Sequence, residues 1–194
     1  AALIAARKNS EKINKEHFQD SLDRIIGGLE KKNKIISKKE KKIVAYHEAG
    51  HTIASWYLEN SKPFVKVTIV PRGIAALGYA QYLSKDQYIY QKNEILEEIC
   101  TLLAGRVSEE IFFENISTGA LNDLERSTKI AYNLVALYGM NEKLGHLSFR
   151  EKEDMNFTKP FSESTSYLID QEVKKIISES YDKTKSILLE RKQE

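Results

Sequence analysis

His47-Glu48-Ala49-Gly50-His51 brings together the residue types of a hydrolytic metal site. On a helix, positions four apart share a face, so His47 and His51 present two imidazoles to one point. Imidazoles so placed fill two corners of a tetrahedral Zn²⁺ site. Glu48 projects beside them, where a carboxylate can take a proton from water that the ion activates. Only Ala49 and Gly50 lie between. A glycine inside a helix costs about 1 kcal/mol relative to alanine. That cost predicts close packing against Gly50, by the element that bears the third ligand.

The chemistry needs this motif in mid-helix. Ser37-Lys38-Lys39-Glu40 is a capping-box pattern and predicts a helix start near Lys38. Ile43, Val44, Tyr46, Ile53, Ala54, Tyr57 and Leu58 then keep helical spacing. Upstream, residues 1–33 read as a short helix, a break and an amphipathic helix. Asn14 caps that second helix, Phe18, Leu22, Ile25 and Ile26 form its stripe, and Gly27-Gly28 ends it. The basic Lys31-Lys32-Asn33-Lys34 reads as a solvated hinge and a domain boundary, dividing the chain into residues 1–33 and 34–194. Downstream, residues 65–70 alternate like a strand, residues 71–73 turn it, and residues 79–82 return. Gly78 marks a bulge or a close backbone approach. Three helices follow, over 94–113, 122–138 with Gly139 as C-cap, and 163–191, with a loop over 145–160.

The 194 residues are 41% hydrophobic, enough for a real core, and carry a net charge of only +2. Nothing in that balance argues for a nucleic-acid partner. The single cysteine, Cys100, excludes a disulfide framework and reads as a small buried hydrophobe. No apolar run approaches the roughly 18 residues of a membrane span. The chain opens on Ala1-Ala2-Leu3-Ile4 without Met and reads as a piece of a longer protein.

A catalytic zinc site takes three protein ligands and leaves one position open. Glu109 and Glu110 on the helix after the hairpin, and Asp123 and Glu125 just after Ser117-Thr118-Gly119, are the candidates for the third ligand. His146 reads as a surface loop residue. Spacing does not choose among the carboxylates.

Leu103-Ala104-Gly105-Arg106-Val107-Ser108-Glu109-Glu110 and Ser117-Thr118-Gly119-Ala120-Leu121-Asn122-Asp123-Leu124, following the histidine motif, resemble the peptidase domain of FtsH-type ATP-dependent zinc metalloproteases. The resemblance runs from residue 1 to about 149, and the C-terminal helix is similar only generically. Residues 77–82, 85–88 and 139–143 are most similar to the mitochondrial m-AAA branch. The departures are Leu121, where Gln or Ser is common, and Ser108, where Ala is common. The resemblance implies a mainly α fold, a helical zinc metallopeptidase with a small β-hairpin or sheet near the active site. It also implies that residues 1–33 are the last helices of an AAA+ lid. It implies Asp123 as third zinc ligand beside His47 and His51, and Glu109 or Glu110 as the group that orients a ligand histidine.

The expected activity is zinc-dependent endoproteolysis with Glu48 as general base. An extended substrate would add as a strand to the hairpin, against Val67, Ile69, Gly78 and Tyr79. By resemblance, the parent is a membrane-anchored homo- or hetero-hexamer that degrades unfolded or misassembled proteins. It would lie in the mitochondrial inner membrane facing the matrix, or in a bacterial inner or plastid membrane. ATP and Mg²⁺ would belong to its ATPase domain, because no G-x-x-x-x-G-K-[ST] loop is present here. Phe112, Phe113, Leu134, Leu137 and Tyr138 include candidate subunit contacts. The rival expectation is a non-catalytic hexameric or chaperone-like scaffold with a structural zinc. Such a site would be closed by four protein ligands and would not require Glu48.

Overall fold

A computed structural model describes residues 1–30, 36–71, 77–83, 86–149 and 161–194. Helices α1 (Ala2–Arg7), α2 (Lys15–Ile26) and α3 (Lys38–Tyr57) precede strands β1 (Phe64–Thr68) and β2 (Tyr79–Tyr82). Helix α4 (Lys92–Phe113) follows, then a 3-10 turn (Thr118–Ala120) leading directly into α5 (Leu121–Tyr132). The last helix is α6 (Glu163–Glu190). Among the described residues the fold is mainly α with one two-stranded antiparallel sheet.

Helix α3 starts as the capping box dictates. Ser37 Oγ accepts the Glu40 N–H, and the Glu40 carboxylate accepts the Ser37 N–H. Helix α4 is the centre of the molecule and packs against α3, α5 and α6. Ile95, Ile99 and Leu103 meet Leu134, Val135, Ile169 and Ile176 on one side. Cys100, Ala104 and Val107 meet Ala54, Leu58 and Leu188 on the other. Cys100 is therefore a core residue. The close approach expected at Gly50 is made by α4: a Cβ there would lie 2.5 Å from the Ala104 carbonyl oxygen and 2.7 Å from Ser108 Cβ.

The sheet occupies the expected place, with Thr68 opposite Tyr79, Val67 opposite Ala80 and Lys66 opposite Gln81. Its irregularity falls between Phe64 and Lys66 rather than at Gly78. Gly78 instead marks a close approach, since a Cβ there would stand 2.8 Å from the Thr68 carbonyl and 2.9 Å from Glu48 Oε1.

Two expectations need correction. Asn14 caps α2 as foreseen, but Phe18, Leu22, Ile25 and Ile26 are 50–79% exposed, while His17 and Asp23 are buried. The helix turns its polar side inward because its neighbours there, Lys66 and Tyr79, are polar partners. The helix expected over 122–138 is not uniform: after α5 it widens into a π-helical turn over Asn133–Leu137. This shifts the phase so that Leu134, Val135 and Ala136 all enter the core. Gly139 then takes φ +61°, where its lack of a side chain is needed. Leu134 is fully buried and is not available for subunit contact. The hinge at 31–34 lies outside the described residues, as do residues 72 and 73 of the expected turn, Lys85, and residues 150–160 of the expected loop. Among the described residues, no helix is long and apolar enough to cross a membrane.

Candidate metal centre

Helix α3 turns His47, Glu48 and His51 into the interior, each 8–9% exposed. Asp123 comes from the first turn of α5 and closes the group. The Nε2 atoms of His47 and His51 are 3.1 Å apart. Asp123 Oδ2 lies 3.4 Å from the first and 3.5 Å from the second. Two ligands about 2.0–2.1 Å from a tetrahedral zinc are themselves roughly 3.4 Å apart. The three donors therefore already have the spacing of a zinc site.

What surrounds the donors fits the same reading. Each histidine is held from behind through Nδ1. The Thr101 carbonyl accepts the His51 Nδ1–H at 2.7 Å, which fixes the tautomer and leaves Nε2 as a lone-pair donor. Glu109 Oε1 accepts from His47 Nδ1 at 2.7 Å. Metal-binding histidines characteristically have such backing groups. Glu109 Oε2 accepts the Ser117 N–H at 2.6 Å. One carboxylate thus joins His47 to the turn that leads into Asp123. Arg106 fastens the same turn by donating to the Ser117 carbonyl, and Ser117 Oγ accepts the Gly119 N–H. Gly105 makes room: a Cβ there would lie 2.4–2.7 Å from the His47 ring.

Electrostatics point to a cation. Burial lowers the His47 pKa, but hydrogen bonds to Asp123 and Glu109 outweigh it and hold it up at about 9. Burial raises the Asp123 carboxyl, yet the two imidazoles pull it well below the usual range. Burial likewise raises Glu109, and its bonds to His47 and Ser117 bring it below normal. Glu48 goes the other way. Burial raises its carboxyl, more than the nearby imidazoles lower it. A carboxyl so tuned suits proton exchange with a substrate. The cluster opens on a cleft of about 820 Å³ that Gly78, Tyr79 and Tyr82 also line. Burial pushes the Tyr82 phenol up to about 12, so it remains protonated at neutral pH.

Of the residues singled out from sequence, the structure brings together His47, Glu48, His51, Asp123 and Glu109. Glu110 is not among them: it is bound by the Tyr181 hydroxyl and by Lys185 Nζ on α6. Glu125 and His146 are exposed. Gly78 and Tyr79 line the cleft, whereas Val67 and Ile69 do not. The close-packed helix at Gly50 carries Glu109, which backs a histidine, while the third donor sits on α5. Thr101, Ser117 and Tyr82 were missed. Thr101 acts through its backbone carbonyl, which leaves no mark in a sequence.

The profile of Peptidase family M41 matches residues 34–194. The chain is 53% identical, over 99% of its length, to the mouse mitochondrial inner membrane m-AAA protease component AFG3L2. It is equally 53% identical, over 99% of its length, to the ATP-dependent zinc metalloprotease FtsH of Rhodothermus marinus. Identity to the rice mitochondrial ATP-dependent zinc metalloprotease FTSH 8 is 50% over the whole chain. The matched segment spans about a quarter of each relative, 24%, 28% and 24% respectively. The donor set, its backing groups and these likenesses agree on the metal as Zn²⁺, and the chain belongs to peptidase family M41.

Proposed function

We propose that this chain is the zinc-dependent endopeptidase module of a membrane-anchored, ATP-dependent protease acting on unfolded or misassembled proteins. The observation that carries it is the convergence of His47 Nε2, His51 Nε2 and Asp123 Oδ2 beside a buried Glu48 at a cleft. His47, His51 and Asp123 hold the zinc, which when bound supplies Lewis-acid polarisation and lowers the pKa of water. Glu48 accepts the proton of the attacking water at its carboxylate. It then returns that proton to the leaving amine nitrogen as the peptide bond breaks. One carboxyl thus serves both halves, as base in the first and as acid in the second. Glu109 and the Thr101 carbonyl keep both imidazoles aimed at the ion. Backbone at Gly78 and Tyr79, on the cleft wall next to Glu48, binds the substrate as an added strand.

In this reading, residues 1–33 are the end of an AAA+ lid and residues 34–194 the peptidase. The parent is a hexamer, placed in the mitochondrial inner membrane with this part facing the matrix. Glu48→Gln in the full-length protein tests the reading. Zinc content and melting temperature should match wild type, while hydrolysis of a flexible peptide falls by at least about 100-fold. Wild-type-like turnover would remove Glu48 as the base.

A further inference from the structure

Helix α2 precedes the proposed peptidase residues, yet one of its side chains reaches the sheet at the cleft. Asp23, in the last turn, is 6% exposed and has both carboxylate oxygens engaged. Lys66 Nζ on β1 donates to Oδ2 at 2.6 Å. The Tyr79 hydroxyl on β2 donates to Oδ1 at 3.2 Å. Thr68 is opposite Tyr79 and Gln81 opposite Lys66, so Lys66 and Tyr79 are diagonal neighbours on one face of the sheet. Diagonal positions are roughly 7–8 Å apart at Cα, within reach of long and aromatic side chains such as these. A single carboxylate spans them and locks one strand to the other.

The locked residue adjoins the chemistry. Tyr79 follows Gly78, whose missing side chain leaves room for the Glu48 carboxylate. Tyr79 also lines the cleft that holds the metal ligands. A two-stranded sheet is marginal without outside support, and its backbone must be still before it can template a third strand.

We infer that Asp23 is a positioning residue for substrate: from the preceding segment it clamps Lys66 and Tyr79, and so holds the Gly78–Tyr79 backbone in register beside Glu48. The clamp makes the peptidase's substrate strand answer to the placement of α2. The inference rests on the endopeptidase reading above.

Asp23→Ala and Tyr79→Phe in the full-length protein test it, with zinc content, peptide kinetics and amide hydrogen exchange measured on each. Zinc content should equal wild type. KM for a flexible peptide should rise about fivefold to tenfold while kcat stays within about twofold, the mark of lost binding rather than lost chemistry. Exchange should quicken over residues 79–83 and remain unchanged in α3 and α4. Tyr79→Phe should have the smaller effect, because it removes one of the contacts that Asp23→Ala removes together. Exchange that quickens equally through α3 and α4, or a wild-type KM in Asp23→Ala, overturns the inference and leaves the endopeptidase reading intact. A wild-type protein that cleaves no peptide overturns the endopeptidase reading itself, and the role given to the clamp falls with it.

Discussion

His47 depends on what is missing beside it. Gly105 offers hydrogen where any other residue would drive a Cβ to within 2.4 Å of Nε2, the donor atom itself. Gly105→Ala therefore should displace the imidazole, and a metal titration should show a larger affinity loss than Glu109→Gln. The latter keeps every donor and removes only the backing charge, so a loss of about 10- to 100-fold is expected. Asp123→Ala, which deletes a donor, should leave little zinc at any practical concentration. If Gly105→Ala binds zinc like wild type, the contact is relieved by a small shift of α4 and the argument from space fails. These residues differ in how readable they were. His47, Glu48 and His51 announced themselves because helical periodicity alone puts the two imidazoles on one face. Asp123 did not, since a donor from another helix arrives by tertiary packing, and only resemblance selected it. Glu109 and Glu110 were inseparable for a related reason. Neighbouring helix positions point about 100° apart, and the phase of α4 is set by what packs on it. Glu109 faces α3, and Glu110 faces α6.

Elements followed the local signals wherever those signals were covalent or nearest-neighbour. Ser37 and Asn14 started their helices at the expected residues, and β2 fell where expected, while β1 runs over Phe64–Thr68 and stops two residues short of Val70. The misses are tertiary. The outward stripe of α2 and the π-helical turn before Gly139 both answer to partners far along the chain. Helix α6 shows how such partners act. Its Glu172 is 5% exposed, ion-paired with Lys143 and accepting from Asn141 Nδ2. Asn141 Oδ1 in turn accepts the N–H groups of Lys143 and Leu144, so the segment after Gly139 is pinned to α6 through this carboxylate. Lys143 and then Asn141 hold the Glu172 carboxyl below its ordinary 4.5. A depressed carboxyl contributes stability that is fully present above its unfolded pKa and is lost as pH falls through the folded one. The contribution should thus be flat from neutral pH to about 5 and decline below 4.5. Glu172→Gln should lower the melting temperature at pH 7, by about 2–4 °C for each kcal/mol lost at this chain length. The gap between variant and wild type should narrow as pH drops toward 3. A gap that stays constant with pH would mean that the side chain acts through shape and not through charge.

At the scale of the molecule, the open question is what covers its apolar surface. The candidate subunit contacts divide once the fold is known. Leu134 belongs to the core, while Phe112, 36% exposed, packs at a tilt against Tyr46 with ring centroids 4.6 Å apart. Tyr138 remains 54% exposed. Elsewhere Trp56 stands out from α3 at 70% exposure. A proteolytic site that opens on a cleft is safest when enclosed, and a ring built from one repeated heterologous contact encloses it. Light scattering over a concentration series should show a hexamer or a monomer–hexamer equilibrium. Tyr138→Glu should move that equilibrium toward monomer without altering the melting temperature of the monomer, because an exposed ring contributes little to the core. The chain's single tryptophan gives a second probe. If association blue-shifts the Trp56 emission, the contact includes the outer face of α3. If the hexamer forms without a shift, and Tyr138→Glu weakens it, the contact lies on the side of the π-helical turn. A chain that stays monomeric at the highest concentrations would place the ring contacts outside residues 1–194 and remove Tyr138 from the interface.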